Sequence, residues 1–388
     1  MKKALSLLLA LCMVIGCLAG CGSTTEAPAE TPAETPADST TESTTDAAPE
    51  KYEGTNVFDA IAFAKEKYPN AKVIRYANQT STATFTQLGG GIPALVLYLA
   101  IEVPYRTEGR YRIELYPDGT LAKSLSDVIT GLTTGAFDMN CYSSGNFGEF
   151  TDAFAEINVP FFFGSIEEVH DVLSAGLLDD MYARAEEDIS GILFNGVSIL
   201  GMRNLNNTKH VVTTPADVEG LKLRIQNDPI QIAAFEALGA TITSISYSEL
   251  YTSIQQKVID GEDNPFQNLV SDKLAEVLRY TSTTNHICGL QFQMISETFW
   301  NSLSAEDQAI IDEIITESND YAYEVVSDLQ EYYGNEINSM GCEVTYLTAE
   351  QIQAFKDVMD EKGVFDQCIE LMGQERWDAL NSYLESVK

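Results

Sequence analysis

Gly220-Leu221-Lys222-Leu223-Arg224-Ile225-Gln226-Asn227-Asp228 alternates apolar Leu221, Leu223 and Ile225 with polar Lys222, Arg224 and Gln226. A period of two belongs to a strand with one buried face, so Arg224 is expected to point away from the core face. A guanidinium held on a rigid strand offers its planar fork to a carboxylate through two parallel hydrogen bonds, which a lysine cannot do. Upstream, Thr213 to Glu219 reads as a capped helical turn ended by Gly220. Downstream, Asp228 to Ala237 reads as a helix with Pro229 near its start, and Ala240 to Ile245 as a second strand. Together they form a βαβ-like unit, and ligands of such units sit beyond the carboxyl ends of the strands.

At the start of the chain, Met1-Lys2-Lys3 precedes an apolar run from Ala4 to Leu18 and then Ala19-Gly20-Cys21. A basic start, a short apolar core and small residues before a cut predict a secretory signal peptide over residues 1–20. A membrane span needs about 20 apolar residues, more than this run supplies. Cysteine directly after Leu-Ala-Gly resembles the bacterial lipoprotein cleavage box, so Cys21 is the expected lipidation site, with the protein extracytoplasmic and lipid-anchored to the cell membrane. Residues 21–51 are almost wholly Thr, Ser, Pro, Ala and acid, with Glu26, Glu30, Glu34, Asp38, Glu42, Asp46 and Glu50 at every fourth position. Prolines forbid a continuous helix there and nothing apolar is available to bury, which predicts an extended tether.

The whole chain sets 58 acidic against 23 basic residues, a formal net charge of −35. Such a balance excludes nucleic acid as a partner, which needs a basic footprint. It also repels anions at long range, so an anionic ligand must be captured by local positive groups such as the few arginines. The part after the tether exceeds one typical core, which predicts two lobes. Cys141, Cys288, Cys342 and Cys368 are scattered without a C-x-x-C pair, so no zinc site is indicated; four buried free thiols are expected, with a Cys342–Cys368 disulfide as the alternative. His170, His210 and His286 lie far apart and read as structural or surface residues. Asp260-Gly261-Glu262-Asp263 reads as an acidic turn, without the alternating ligand spacing of a calcium loop. No Gly-x-Ser-x-Gly elbow, His-Glu-x-x-His pair or phosphate loop is present, so neither an enzyme nor a cofactor is expected.

Other elements follow from pattern. Lys72 to Asn78, Tyr111 to Tyr116, Phe137 to Tyr142 and Val197 to Arg203 read as strands, and Pro93 to Val103 and Leu125 to Thr133 as helices. The spacing of Arg203 and Arg224 allows two neighbouring strands to carry both guanidiniums to one rim. Val159 to Gly164 reads as core. Arg279 to His286 and Leu290 to Ser296 read as two successive strands, plausible crossings between the lobes. A long helix is expected from Ser304, capped with Asp307, to Gly341, on a stripe through Ile311, Ile315, Ala322, Val326, Tyr333 and Ile337. Glu343 to Leu347 is a short strand, Thr348 and Gln351 cap the next helix, and Phe365 to Val387 reads as packing helices with Trp377 in the core.

Seven segments occur in a familiar order: Glu108-Gly109-Arg110 with Leu115-Tyr116-Pro117, Gly135-Ala136-Phe137-Asp138-Met139, Pro160-Phe161-Phe162-Phe163, Gly201-Met202-Arg203, Thr214 to Arg224, Leu238-Gly239-Ala240, and Ile259 to Pro265. In this order the chain resembles the solute-binding proteins of tripartite ATP-independent periplasmic (TRAP) transporters over roughly residues 72–340. The resemblance implies an α/β, two-lobed periplasmic-binding-protein-like fold with crossing hinge strands and a long helix bracing both lobes. The expected division is 52–200 with 290–328 in the first lobe and 201–289 with 329–388 in the second. It implies a receptor that closes on a small organic acid and delivers it to the membrane subunits of an ion-coupled transporter. A binding protein of an ATP-driven importer or of a sensor kinase would have a similar fold, and composition does not separate these readings.

By the same resemblance Arg224 matches the arginine that clamps the ligand carboxylate, Arg203 the arginine of a Gly-x-Arg segment, and Asn264 a ligand-bonding asparagine. Tyr247 aligns with an aromatic position that stacks on the ligand. The first lobe departs from the family pattern between Asn78 and Gly91, where Asn78 and Gln79 are the candidate ligand residues.

Overall fold

The computed structural model describes residues 50–86 and 89–387. The expected signal peptide, the lipidation site Cys21 and the tether up to Pro49 lie outside the described residues. Among the described residues nine strands form one sheet: β1 Lys72–Ala77, β2 Tyr111–Tyr116, β3 Met139–Ser143, β4 Ile192–Asn207, β5 Lys222–Arg224, β6 Thr241–Thr243, β7 Gly261–Pro265, β8 Tyr280–Ser296 and β9 Glu343–Thr345. Their order is β2-β1-β3-β8-β4-β7-β5-β6, with β9 beside β8. β1 runs parallel to β2 and β3, and β5 runs parallel to β6 and β7. Two parallel α/β halves thus flank the antiparallel pair β4/β8.

That pair corrects the expected strand plan. β8 is a single 17-residue strand, where two strands broken near Gly289 were expected, and β4 extends 16 residues. Ile287, Cys288 and Leu290 are all buried, so the run stays in the sheet through the glycine. Gly289 is there for clearance: a Cβ would stand 2.9 Å from Pro265 Cγ and 3.2 Å from the Gly201 carbonyl. Opposite it lies Gly201, at φ +120°, where the ladder shifts register. β7 is a second correction, since Asp260 to Asp263 reads as an acidic turn and Gly261–Pro265 is a buried strand.

On the β1–β3 side, Ile74, Leu95, Leu99, Ile113 and Ile311 build one core, and Phe147, Phe154, Phe194 and Phe292 another. On the β5–β7 side, Leu223, Ile225, Phe235 and Phe355 form a third and Leu250, Leu269, Leu274 and Ile337 a fourth. The long helix Ala305–Ser339 begins on the Ser304 cap as expected. It gives Ile311, Ile314 and Ile315 to the first-lobe core and Tyr333 and Ile337 to the second, and so braces both. Two segments cross the expected division. Val159 and Phe161 pack into the second-lobe core while Phe163 packs into the first, and Leu380 and Leu384 of the last helix join the first-lobe aromatic core. Trp377 is half-buried, with its ring 5.1 Å from Phe162 and 5.7 Å from Phe365. All four cysteines of the folded part are free and buried.

Candidate functional site

Both halves turn the carboxyl ends of their parallel strands toward one cavity of about 460 Å³. Asn78 and Gln79 follow β1 and Tyr142 and Ser143 end β3; Arg224 ends β5, and Ser244 to Ser248 follow β6. Every expected ligand residue, Arg224, Arg203, Asn264, Tyr247, Asn78 and Gln79, lines this space. The two arginines are not on neighbouring strands: β7 runs between β4 and β5 and places Asn264 between them. The register sets Arg203 opposite Pro265 and Arg224 beside Glu262.

The two guanidiniums are in different chemical states. Arg203, 2% exposed, donates from Nε to Asp263 Oδ2 at 2.7 Å and from Nη2 to the Asp263 carbonyl. Burial opposes its charge, but Asp263 more than compensates and holds its pKa above the usual value. Burial works against Asp263 as well, yet Arg203 and a hydrogen bond with His286 hold it at about 2. Arg224, 5% exposed, donates from Nε to the Ile245 carbonyl at 3.0 Å. Among the described residues no carboxylate pairs with it. Burial lowers its pKa, Asp263 opposes this, and nearby Arg203 adds to it. An arginine stays protonated under such pressure, so Arg224 is a desolvated cation facing a cavity.

Beneath them Glu262 is fully buried and accepts hydrogen bonds from Asn206 Nδ2 at 2.9 Å and from Asn264 Nδ2. Burial first and Asp263 second push its pKa up to about 8, so it keeps its proton at neutral pH. Tyr247 donates to Asp272 Oδ2 at 2.5 Å and accepts from Asn268 Nδ2 at 2.7 Å, which fixes its ring at the cavity wall. Asn78 is buried, its Nδ2 donating to Cys141 Sγ at 3.1 Å and its Oδ1 accepting from the Thr80 N–H at 2.8 Å. These bonds shape the turn after β1 more than they leave the amide free. Gln79 donates to the Ala122 carbonyl at 3.2 Å.

Several lining residues escaped the sequence reading. Gln226 is two residues past Arg224, and the alternation that placed Arg224 on one face placed Gln226 there too; its Nε2 donates across the cavity to Ser143 Oγ at 2.6 Å. Gln267 Oε1 accepts from the Gly91 N–H at 3.0 Å, and Asp272 Oδ1 from Thr84 Oγ1 at 3.2 Å, both between the halves. Nothing local marks Gln267 or Asp272 as site residues. Among the described residues, no cluster of His, Cys, Asp and Glu fits a metal ion, and no helix is long and apolar enough to cross a membrane.

Known proteins share this architecture. Residues 94–364 match the family model described as bacterial extracellular solute-binding protein, family 7. The 2,3-diketo-L-gulonate-binding periplasmic protein YiaO of Escherichia coli is 30% identical over 259 residues, 66% of this chain and 76% of that protein. The C4-dicarboxylate-binding periplasmic protein DctP of Rhodobacter capsulatus is 30% identical over 274 residues, 69% of this chain and 80% of that one. The crystal structure of a TRAP periplasmic solute-binding protein from Ochrobactrum anthropi superposes with a TM-score of 0.71 at 30% identity, covering 82% of this chain and 96% of that one. In that structure a C-terminus is bound in the ligand-binding pocket. Matched across most of its folded part and sharing the two-lobed α/β architecture, this chain belongs to the family 7 extracellular solute-binding proteins, the non-enzymatic receptors of TRAP transporters.

Proposed function

We propose that the protein captures a small organic acid by closing its two lobes around an Arg224–carboxylate clamp and hands it to the membrane subunits of a TRAP transporter. The observation that carries this reading is the state of Arg224: buried, held through Nε, and without a carboxylate partner among the described residues. A desolvated guanidinium is costly unless an anion completes it, and a ligand carboxylate is the bidentate group that fits. Arg203, already neutralised by Asp263, leaves Arg224 as the cation open to a ligand and shapes the wall with Asn264 and Tyr247. The names of the Escherichia coli and Rhodobacter capsulatus relatives, both carboxylate binders, favour the same ligand chemistry.

Ligand free energy drives closure, by as much as the ligand prefers the closed form over the open one. The halves hinge on β4 and β8, with residues of both lobes touching the acid. Cys21 carries the lipid that holds this receptor at the membrane, and the acidic tether spaces it from the surface.

Arg224→Ala tests the clamp. Leaving a buried carboxylate without its partner costs about 3–5 kcal/mol, so affinity should drop by a few hundredfold or more in isothermal titration. Arg224→Lys should recover little, because an ammonium lacks the planar fork. Binding retained within roughly threefold in the alanine variant would remove Arg224 from the site.

A further inference from the structure

The cavity is charged for one carboxylate. Of the three cations lining it, Arg203 is neutralised by Asp263 and Lys123 sits exposed at the rim, which leaves Arg224. Three acids line the wall among the described residues: Asp118 and Glu149, both exposed, and the half-buried Asp272. Asp272 lines the space, its Oδ2 accepting from Tyr247 and its Oδ1 from Thr84. Among the described residues no lysine, arginine or histidine pairs with it; burial raises its pKa, and hydrogen bonds from Tyr247, Thr84, Ser271 and Asn268, all neutral donors, oppose that rise. A carboxylate oxygen has two lone pairs, so Oδ1 has room for another donor.

We propose that Asp272 makes this cavity selective for a polyhydroxylated monocarboxylate, of the aldonate or uronate class, over a dicarboxylate. The inference rests on the reading of Arg224 as the carboxylate clamp. With one end of the ligand held at Arg224, a second carboxylate has only acceptor atoms to offer and meets Asp272 with like charge. A hydroxyl in the same place donates to Asp272, and the other hydroxyls of such a ligand meet the amides and hydroxyls that line the cavity, among them Gln226, Gln267 and Ser246. The lining is richer in such groups than a four-carbon diacid needs, and each left without a partner on closure counts against that ligand. Asp272 also receives Thr84 from the opposite half, so the residue that reads the ligand's far end is tied into closure.

The test is isothermal titration of the purified full-length chain with D-gluconate, D-galacturonate, succinate, L-malate and neutral D-galactose, run beside Asp272→Asn. A sugar acid should bind the parent at least about tenfold more tightly than either dicarboxylate, and D-galactose should not bind. Asp272→Asn keeps the size and removes the charge; it should weaken the sugar acid by about tenfold or more and leave succinate unchanged or tighter. Succinate or malate matching the sugar acids on the parent, or a preference unaltered in the variant, would overturn the role of Asp272 and leave the Arg224 clamp standing. Failure of every carboxylate, or a sugar acid that binds equally well to Arg224→Ala, would sink both. Should Asp272→Asn not fold, judged by circular dichroism, the ranking on the parent decides alone.

Discussion

Glu262 shows how one buried proton supports a site it does not enter. Its carboxyl bonds the Asn264 amide that faces the cavity, beside an Asp263 already committed to Arg203. Two adjacent buried carboxylates cannot both ionise cheaply, and the one with the arginine does so. Because the folded-state pKa of about 8 lies above the ordinary 4.5, the stability contributed by Glu262 is fully present below about pH 4.5 and is lost as pH rises through about 8. Asp228, raised to about 6, acts in the same direction, whereas Asp263, held at about 2, contributes stability that fades only as pH falls toward that value. Comparison with Glu262→Gln isolates the one residue. The glutamine variant should show a flatter decline of thermal midpoint between pH 5 and 8.5 than the parent, and parallel profiles would mean that Glu262 is ionised in the fold. Of the cavity lining, the place of Arg224 was readable because a strand's alternation and a family motif coincide on it. The place of Asp272 was not, since it is fixed by hydrogen bonds from Thr84 and Tyr247, far away in the chain and close only after folding.

At the level of elements, local rules served best where an element is specified by its own residues. Leu125–Thr133 matches its expected bounds, and the long helix ends within two residues of its expected stop. Their caps and apolar stripes are contained within the segments themselves. Pattern reading failed where neighbours decide. Gly289 looks like a strand break in sequence and is a packing requirement in the sheet, and Glu262-Asp263 look like a solvated turn until Arg203, Asn206 and His286 arrive to pair with them. Gly201 and Gly289 oppose each other where β4 and β8 pass between the lobes. Gly289→Ala inserts a methyl group where Pro265 already stands and should cost about 1–3 kcal/mol, read as a lower urea midpoint. An unchanged midpoint would show that the crossing has slack and that the close approach is not needed.

For the whole molecule, the contacts that matter to a receptor are those that exist only when its halves meet. The sequence could announce two lobes through chain length and resemblance, but not that Val159 and Phe161 enter the second core or that Leu380 and Leu384 return to the first. Such exchange means that the lobes are joined by more than β4 and β8. Tyr333 offers a test free of ligand chemistry. It belongs to the long helix, is 1% exposed among second-lobe residues, and donates its hydroxyl to the Gly89 carbonyl of the first lobe without itself lining the cavity. On the proposed closure, a bond made only when the lobes meet would, when removed in Tyr333→Phe, take about 1 kcal/mol from the closed form. Apparent affinity falls with the population of the competent state, so every ligand should weaken by the same factor, about fivefold, with the ranking preserved. Asp272→Asn changes the ranking instead. If Tyr333→Phe reordered the ligands, Tyr333 would act on the site directly; if it left all affinities unchanged, its bond to Gly89 would persist in the open form and play no part in closure.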